Sequence, residues 1–198
     1  MAISYPLTIP NQEFASMSMR LVRATGFNES PFTFSQQVYQ HSGAQWQAEV
    51  SLPPLTYAEA REWESFFISL RGRRGTFLMG NPAVTSPQGT VSTAVLSGAA
   101  SANDTSITVD GMTSGDTILA GDYFQLDNHL YMAVEDTTFT AGSGDIVFEP
   151  SLKADQADNT ALTLANPKGL WRLSSDEFGW NINSASIYGF TFACVEAN

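Results

Sequence analysis

The stretch PPLTYAEAREWESFFISLRGRRGTFLMGNP, residues 53–82, changes period within thirty residues and decides how the rest of the chain is read. Two prolines precede Thr56, which can cap a helix, and Glu59 follows three residues on, the spacing of a capping box. Ala60, Trp63, Phe67 and Leu70 then recur at i, i+3, i+7 and i+10, the apolar stripe of an amphipathic helix, and Gly72 stands where a helix stops. GTFLMG (75–80) resumes as a strand.

Upstream, FTFSQQVYQ (32–40) and WQAEVSL (46–52) are β-prone and joined by HSGA, which predicts an antiparallel pair with a hairpin-like connection at Gly43. Downstream, GLWRLSS (169–175) and SASIYGFTFACVE (184–196) read as closing strands. The last places Tyr188, Phe190, Phe192 and Cys194 on one face, where a lone small thiol has a structural role. The expected fold is mainly β, a β-sandwich or split barrel with one α-helix packed on it. The N-terminal SYPLTIPNQEF fits no element by pattern.

Charge divides the 198 residues. Between Gln88 and Ala165 lie eleven acids against the single base Lys153, whereas the remainder holds nine acids and eight bases. The same segment is rich in Ser, Thr, Ala, Gly and Asp. Residues 88–165 are therefore expected to form an acidic module inserted into an outer module of residues 1–87 and 166–198, with Pro- and Gly-marked joins at NPAVTSPQG (81–89) and LANPKG (164–169). Six short β-prone runs, TAVLSG, TSITVDG, GDYFQLD, HLYMAVED, GDIVFEP and TALTLA, predict a small β-barrel. Asp127 and Asn128 mark a tight turn between two of them.

The chemistry implied is sparse. Hydrophobic residues at 43% support a packed core, yet no apolar run approaches the ~20 residues of a membrane-spanning helix, so no membrane partner is expected. The N-terminus has no basic start followed by an apolar core, which points to synthesis and assembly in a cytoplasm. One cysteine excludes an intrachain disulfide or a thiolate metal cluster. No phosphate-binding glycine motif occurs, and His41 and His129, one in each module and each beside a turn, are expected to be solvated rather than catalytic. Asp104, Asp110, Asp116 and Asp122 recur every six residues without a calcium-loop frame and read as turn aspartates. Glu59, Glu62 and Glu64 fall on the polar helix face. No catalytic, cofactor-binding or metal-ligating residue is assigned, and no enzyme activity is expected.

Arg71, Arg73 and Arg74 form the one basic cluster in a chain of net charge −11. Arg71 can oppose the negative end of the helix dipole. A protein this acidic repels phosphate at long range, so specific nucleic-acid binding is not expected. Arginine's planar fork suits bidentate pairing with carboxylates across interfaces, which makes these three candidate subunit-interface residues, with salt bridges inside the protomer as the alternative.

The run WQAEVSLPPLTYAEAREWESFFISLRGRRGTFLMGNP (46–82), with its Pro-Pro entry, aromatic helix, Arg-Gly exit and strand ending in Asn-Pro, resembles the ring domain of distal tail proteins of long-tailed bacteriophages. LAGDYFQLDNHLYMAVED with GSGDIVFEPSL resembles the small barrel inserted in some members, and YGFTFACVE their closing strand. The resemblance implies a structural virion protein of the tail baseplate, a hexameric ring joining the tail tube protein to the host-facing hub or tip protein, with side fibres as a further candidate partner. The alternative is a carbohydrate-binding or receptor-binding accessory module that uses Tyr123, Phe124 or Tyr131 on the barrel, although alternating aromatics of this kind more often face a core.

Overall fold

The computed structural model describes residues 3–11 and 13–197, and these form a mainly β fold with 46% strand, one α-helix and a closed six-stranded barrel. Helix α1 (Tyr57–Leu70) begins at Thr56, whose backbone N–H and hydroxyl both donate to the Glu59 carboxylate, at 2.8 and 2.7 Å. Those two bonds hold the Glu59 carboxyl below the ordinary carboxylate range, because they favour its charged form. The buried stripe is Ala60, Trp63, Phe66, Phe67 and Leu70.

The helix ends at Leu70, the last residue of the apolar stripe. Arg71, not Gly72, is the capping residue, in the left-handed conformation at φ 54°, and its N–H donates to the Ile68 carbonyl. Gly72 follows at φ +67°, and a side chain there would strike the Asp176 carboxylate. Two successive left-handed residues turn the chain into a short 3-10 turn, Gly72–Arg74, after which the Gly75 N–H closes onto the Leu70 carbonyl. Gly75 is packed so tightly that a Cβ would lie 2.6 Å from that carbonyl.

The outer part is a seven-stranded sheet. Strands β1 (Leu7–Thr8), β2 (Ser16–Glu29), β3 (Gln36–Ser51) and β4 (Phe77–Gly80) precede the insertion. The insertion holds β5 (Ala94–Leu96), β6 (Ser106–Asp110), β7 (Thr117–Ile118), β8 (Tyr123–Leu126), β9 (His129–Ala133), β10 (Thr137–Thr138), β11 (Ser143–Glu149) and β12 (Ala161–Thr163). The chain ends with β13 (Lys168–Leu173), β14 (Trp180–Ile182) and β15 (Tyr188–Glu196). Sheet order is β1-β4-β13-β15-β3-β2, with β14 pairing the start of β15. Along β15, Tyr188, Phe190, Phe192, Cys194 and Glu196 all turn to the buried face. Phe192 packs against Trp63 and Phe67 of the helix. Cys194 is buried beside the Ala48 carbonyl, as a structural thiol should be, and burial pushes its ionisation far up.

The predicted pair at residues 32–52 is corrected by the structure. HSGA does not join two strands: residues 36–51 are one strand, β3, and its partner is β2, from residues 16–29, to which the sequence pattern assigned no element. The ladder runs from Ser16↔Ser51 to Glu29↔Gln36 and slips once, between Arg23 and Thr25, opposite residues 41–43. The HSGA glycine is thus spent on a β-bulge, which absorbs extra residues without ending the pairing.

All six runs expected of the inserted module are the six strands of the closed barrel, in the order β11-β6-β5-β12-β8-β9, while β7 and β10 form a separate two-stranded sheet. Asp127, at φ 53°, and Asn128 make the two-residue turn between β8 and β9. The barrel has its own apolar cluster, including Phe124, Tyr131, Phe139, Ile146 and Phe148, distinct from the cluster beneath the helix. Its entry and exit lie on one ladder: β4 and β13 are antiparallel neighbours, with Gly80 opposite Lys168.

Candidate functional site

Three places could carry function: the arginine turn, the junction between barrel and sheet, and the hairpin formed by β2 and β3. The turn after α1 presents Arg71, Arg73 and Arg74 to solvent. The Arg73 N–H donates to Asp176 at 2.9 Å and its guanidinium donates to the Ser174 carbonyl, so this residue is partly committed within the protomer. Among the described residues, none of the three forms a salt bridge. They are brought to one exposed corner, not into a pocket.

The junction buries a cluster of polar side chains. Glu196 continues the inward face of β15 beyond Cys194 and lies under the barrel, its side chain almost fully enclosed. Its Oε2 accepts the Trp46 N–H at 3.1 Å and lies 3.6 Å from the Lys153 ammonium. Oε1 lies 3.6 Å from His129 Nδ1, beyond hydrogen-bond distance, and neither of those two atoms has a hydrogen-bond partner. Around this centre, Lys153 donates to the Ala44 carbonyl, the Trp46 indole donates to the Leu130 carbonyl at 2.9 Å, and Gln45 donates to the Glu196 carbonyl at 2.9 Å.

Sequence reasoning placed His129 in solvent beside its turn. It is instead 9% exposed, because the β8–β9 turn points at the outer sheet: the Leu170 N–H donates to the Asn128 carbonyl at 2.7 Å. Glu196 and Lys153 were not singled out, although the alternation along YGFTFACVE already turns Glu196 inward. The arrangement holds a carboxylate against an ammonium, Lys153, and beside an imidazole, His129, both from another module, which is the chemistry of a lock.

The hairpin runs past the end of the sheet as a two-stranded arm. From Ala24 to Gln40 it contains one charged residue, Glu29, while Phe27, Phe32, Phe34, Val38 and Tyr39 are exposed along it or at its tip. Phe27 and Val38 are directly opposed across the ladder and so share a face. At the tip, Phe34 is held at φ 53°, a costly conformation for a bulky side chain, with its N–H donating to the Ser30 carbonyl. The arm's base is fastened to the barrel by the Lys153 to Ala44 bond and by Arg23, 3.1 Å from the Glu149 carboxylate. A cleft of about 300 Å³, lined among others by Arg23, Gln40, His41 and Asn103, lies at this base.

The remaining sequence candidates have structural work. Asp122 is buried and accepts from the backbone N–H groups of Gln88, Gly89 and Leu119, tying the entry segment to the barrel. Asp104 and Asp116 accept from the N–H groups three residues before them, Ser101 and Thr113, as turn aspartates do. Among the described residues, no three His, Cys, Asp or Glu side chains are grouped to hold a metal ion. Phe124 and Tyr131 are fully buried, and Tyr123 packs against Trp46, so these aromatics are not an exposed stacking platform for a sugar. Burial, chiefly, pushes the Tyr131 hydroxyl up to about 12, and that oxygen accepts the Lys153 N–H. Among the described residues, no helix is long and apolar enough to cross a membrane. No protein-family model matches this chain, and no curated protein matches it.

Proposed function

We propose that this chain is a structural assembly protein, a ring-forming distal tail component of a bacteriophage virion that joins a tail tube protein to a host-facing hub. The observation that carries the reading is the β2–β3 arm. Two-stranded ribbons are marginal in water on their own, and their unpaired edges invite further pairing. An arm that is nearly free of charge, tipped by two open phenylalanines and anchored at its base by buried and ionic contacts, is built to be covered by another chain. The acidic barrel fits the same role, since an arginine-poor surface repels passing DNA.

Arg71, Arg73 and Arg74 serve in this reading as contacts to carboxylates of the adjacent protomer. Their exposure, together with the lack of acidic partners among the described residues, leaves them open to such pairing. Native mass spectrometry of the purified chain tests the proposal. A ring of six 21.4 kDa chains gives a species of about 130 kDa, with a central hole in class-averaged electron micrographs. A strictly monomeric chain at micromolar concentration, with or without the tube and hub proteins, would overturn it.

A further inference from the structure

A second apolar surface lies at the opposite end of β3 from the arm. Leu52, Pro54, Ile182, Ile187 and Tyr188 line a groove of about 310 Å³ beside the β14–β15 hairpin, together with the neutral Asn181 and Asn183. Ile182 and Ile187 are 56% and 41% exposed, and no charged residue lines the groove.

We infer that the arm of one protomer seats in this groove of the next, a head-to-tail contact between copies of this chain. The inference rests on the ring reading above and names its interface. Three observations lead to it. The arm protrudes and the groove is concave, so the two surfaces differ in shape on one molecule, as a heterologous interface requires. They cannot meet within a protomer: from Val38 to Leu52 a strand rising ~3.3 Å per residue spans roughly 45 Å, and the ladder to β2 holds it extended. Both surfaces are also nearly uncharged on a chain of net charge −11, so two copies meet there without the repulsion that opposes approach elsewhere.

The arm's open apolar area supplies part of such an interface, and its polar rim the rest. Phe27, Phe32, Phe34 and Tyr39 are 60, 91, 72 and 55% exposed. At about 150–250 Å² per aromatic side chain, they leave roughly 550 Å² open over the tip and both faces of the ribbon, with Phe27 and Tyr39 on opposite faces, against ~800 Å² buried by each partner of a standard interface. Gln36, Gln37 and Gln40 of the arm and Asn181 and Asn183 of the groove supply neutral hydrogen-bonding rims.

The test uses the whole chain. Thr33→Cys at the arm tip and Asn181→Cys at the groove introduce accessible thiols, while the native Cys194 is 1% exposed. With a short bis-maleimide, the double variant should give a ladder of linked chains ending at the ring size. Each single variant should give none, and an equimolar mixture of the two singles should give linked pairs. Phe32→Ser with Phe34→Ser should lower the ring population at least tenfold, with an unchanged melting curve for the protomer. Rings that persist in the serine variant, or an intact ring without a ladder, or links from arm to arm, overturn the arm-to-groove contact while leaving the ring reading standing. A parent chain that is only monomeric removes both.

Discussion

Lys153→Met is the sharpest probe of how the two modules are joined. The substitution keeps the length and apolar stem of the side chain and deletes the ammonium 3.6 Å from Glu196 Oε2, together with its bond to the Ala44 carbonyl. Glu196 has a side-chain exposure of only 1%, so water cannot take the cation's place. Breaking a buried ion pair from one side costs about 3–5 kcal/mol, mostly because a charge is stranded. The Trp46 N–H still donates at 3.1 Å, and a hydrogen bond to a charged group is worth about 1.5–3 kcal/mol, which puts the loss near the lower end, ~3 kcal/mol. At about 2–4 °C per kcal/mol for a chain of this size, the melting temperature should fall by roughly 6–12 °C. Adding Glu196→Gln removes the stranded charge while keeping an acceptor for Trp46, so the double variant should regain ~2 kcal/mol relative to Lys153→Met alone. Urea titration followed by tryptophan fluorescence, at one fixed protein concentration, measures all three chains. A cost below 1 kcal/mol for the single variant, or strict additivity in the double, would refute the lock.

Trp63→Ala and Phe67→Ala each open the cluster beneath α1 and should cost about 3–5 kcal/mol in the same titration; less than 1 kcal/mol would mean the wrong helix face. Arg73→Glu with Arg74→Glu should leave circular dichroism and protomer melting near those of the parent while the ring is lost in analytical ultracentrifugation; unchanged assembly would remove these arginines from the interface. Glu59, whose carboxyl is held low by its bonds to Thr56, adds stability that is fully present above the unfolded carboxylate value of about 4.3 and lost as pH falls through its lower folded value. The stability gap between parent and Glu59→Gln should therefore shrink from pH 6 to pH 3, and parallel curves would exclude the linkage.

Local chemistry made the helix and barrel legible in the sequence. Thr56 and Glu59 announce one end of α1, the Trp63 and Phe67 spacing fixes its face, and six alternating runs bounded by Gly, Asp and Asn became six barrel strands. The β2–β3 arm was hidden because HSGA has the composition of a turn, and only its pairing with the preceding strand, β2, shows that it is a bulge. His129 was misread for a related reason: a turn is exposed only when nothing packs on it, and here another module does. Glu196 was open to detection, since strand parity alone turns it inward, but a cation from the other module is what makes that position tolerable.

The chain leaves the outer sheet after Gly80 and rejoins it at Lys168, the residue opposite, so the 87 residues between occupy the place of a hairpin loop. A sheet wired in this way is indifferent to the size of what it carries: the same socket could accept a different fold, or a bare turn, without altering strand order. What it is not indifferent to is Glu196. Any replacement cargo must bring its own cation to that carboxylate and a cover for Trp46, or the socket must be neutralised first. Those two side chains, with the apolar cover that Leu130, Tyr123 and Met132 now give the outer core, set the terms on which this scaffold can be re-equipped.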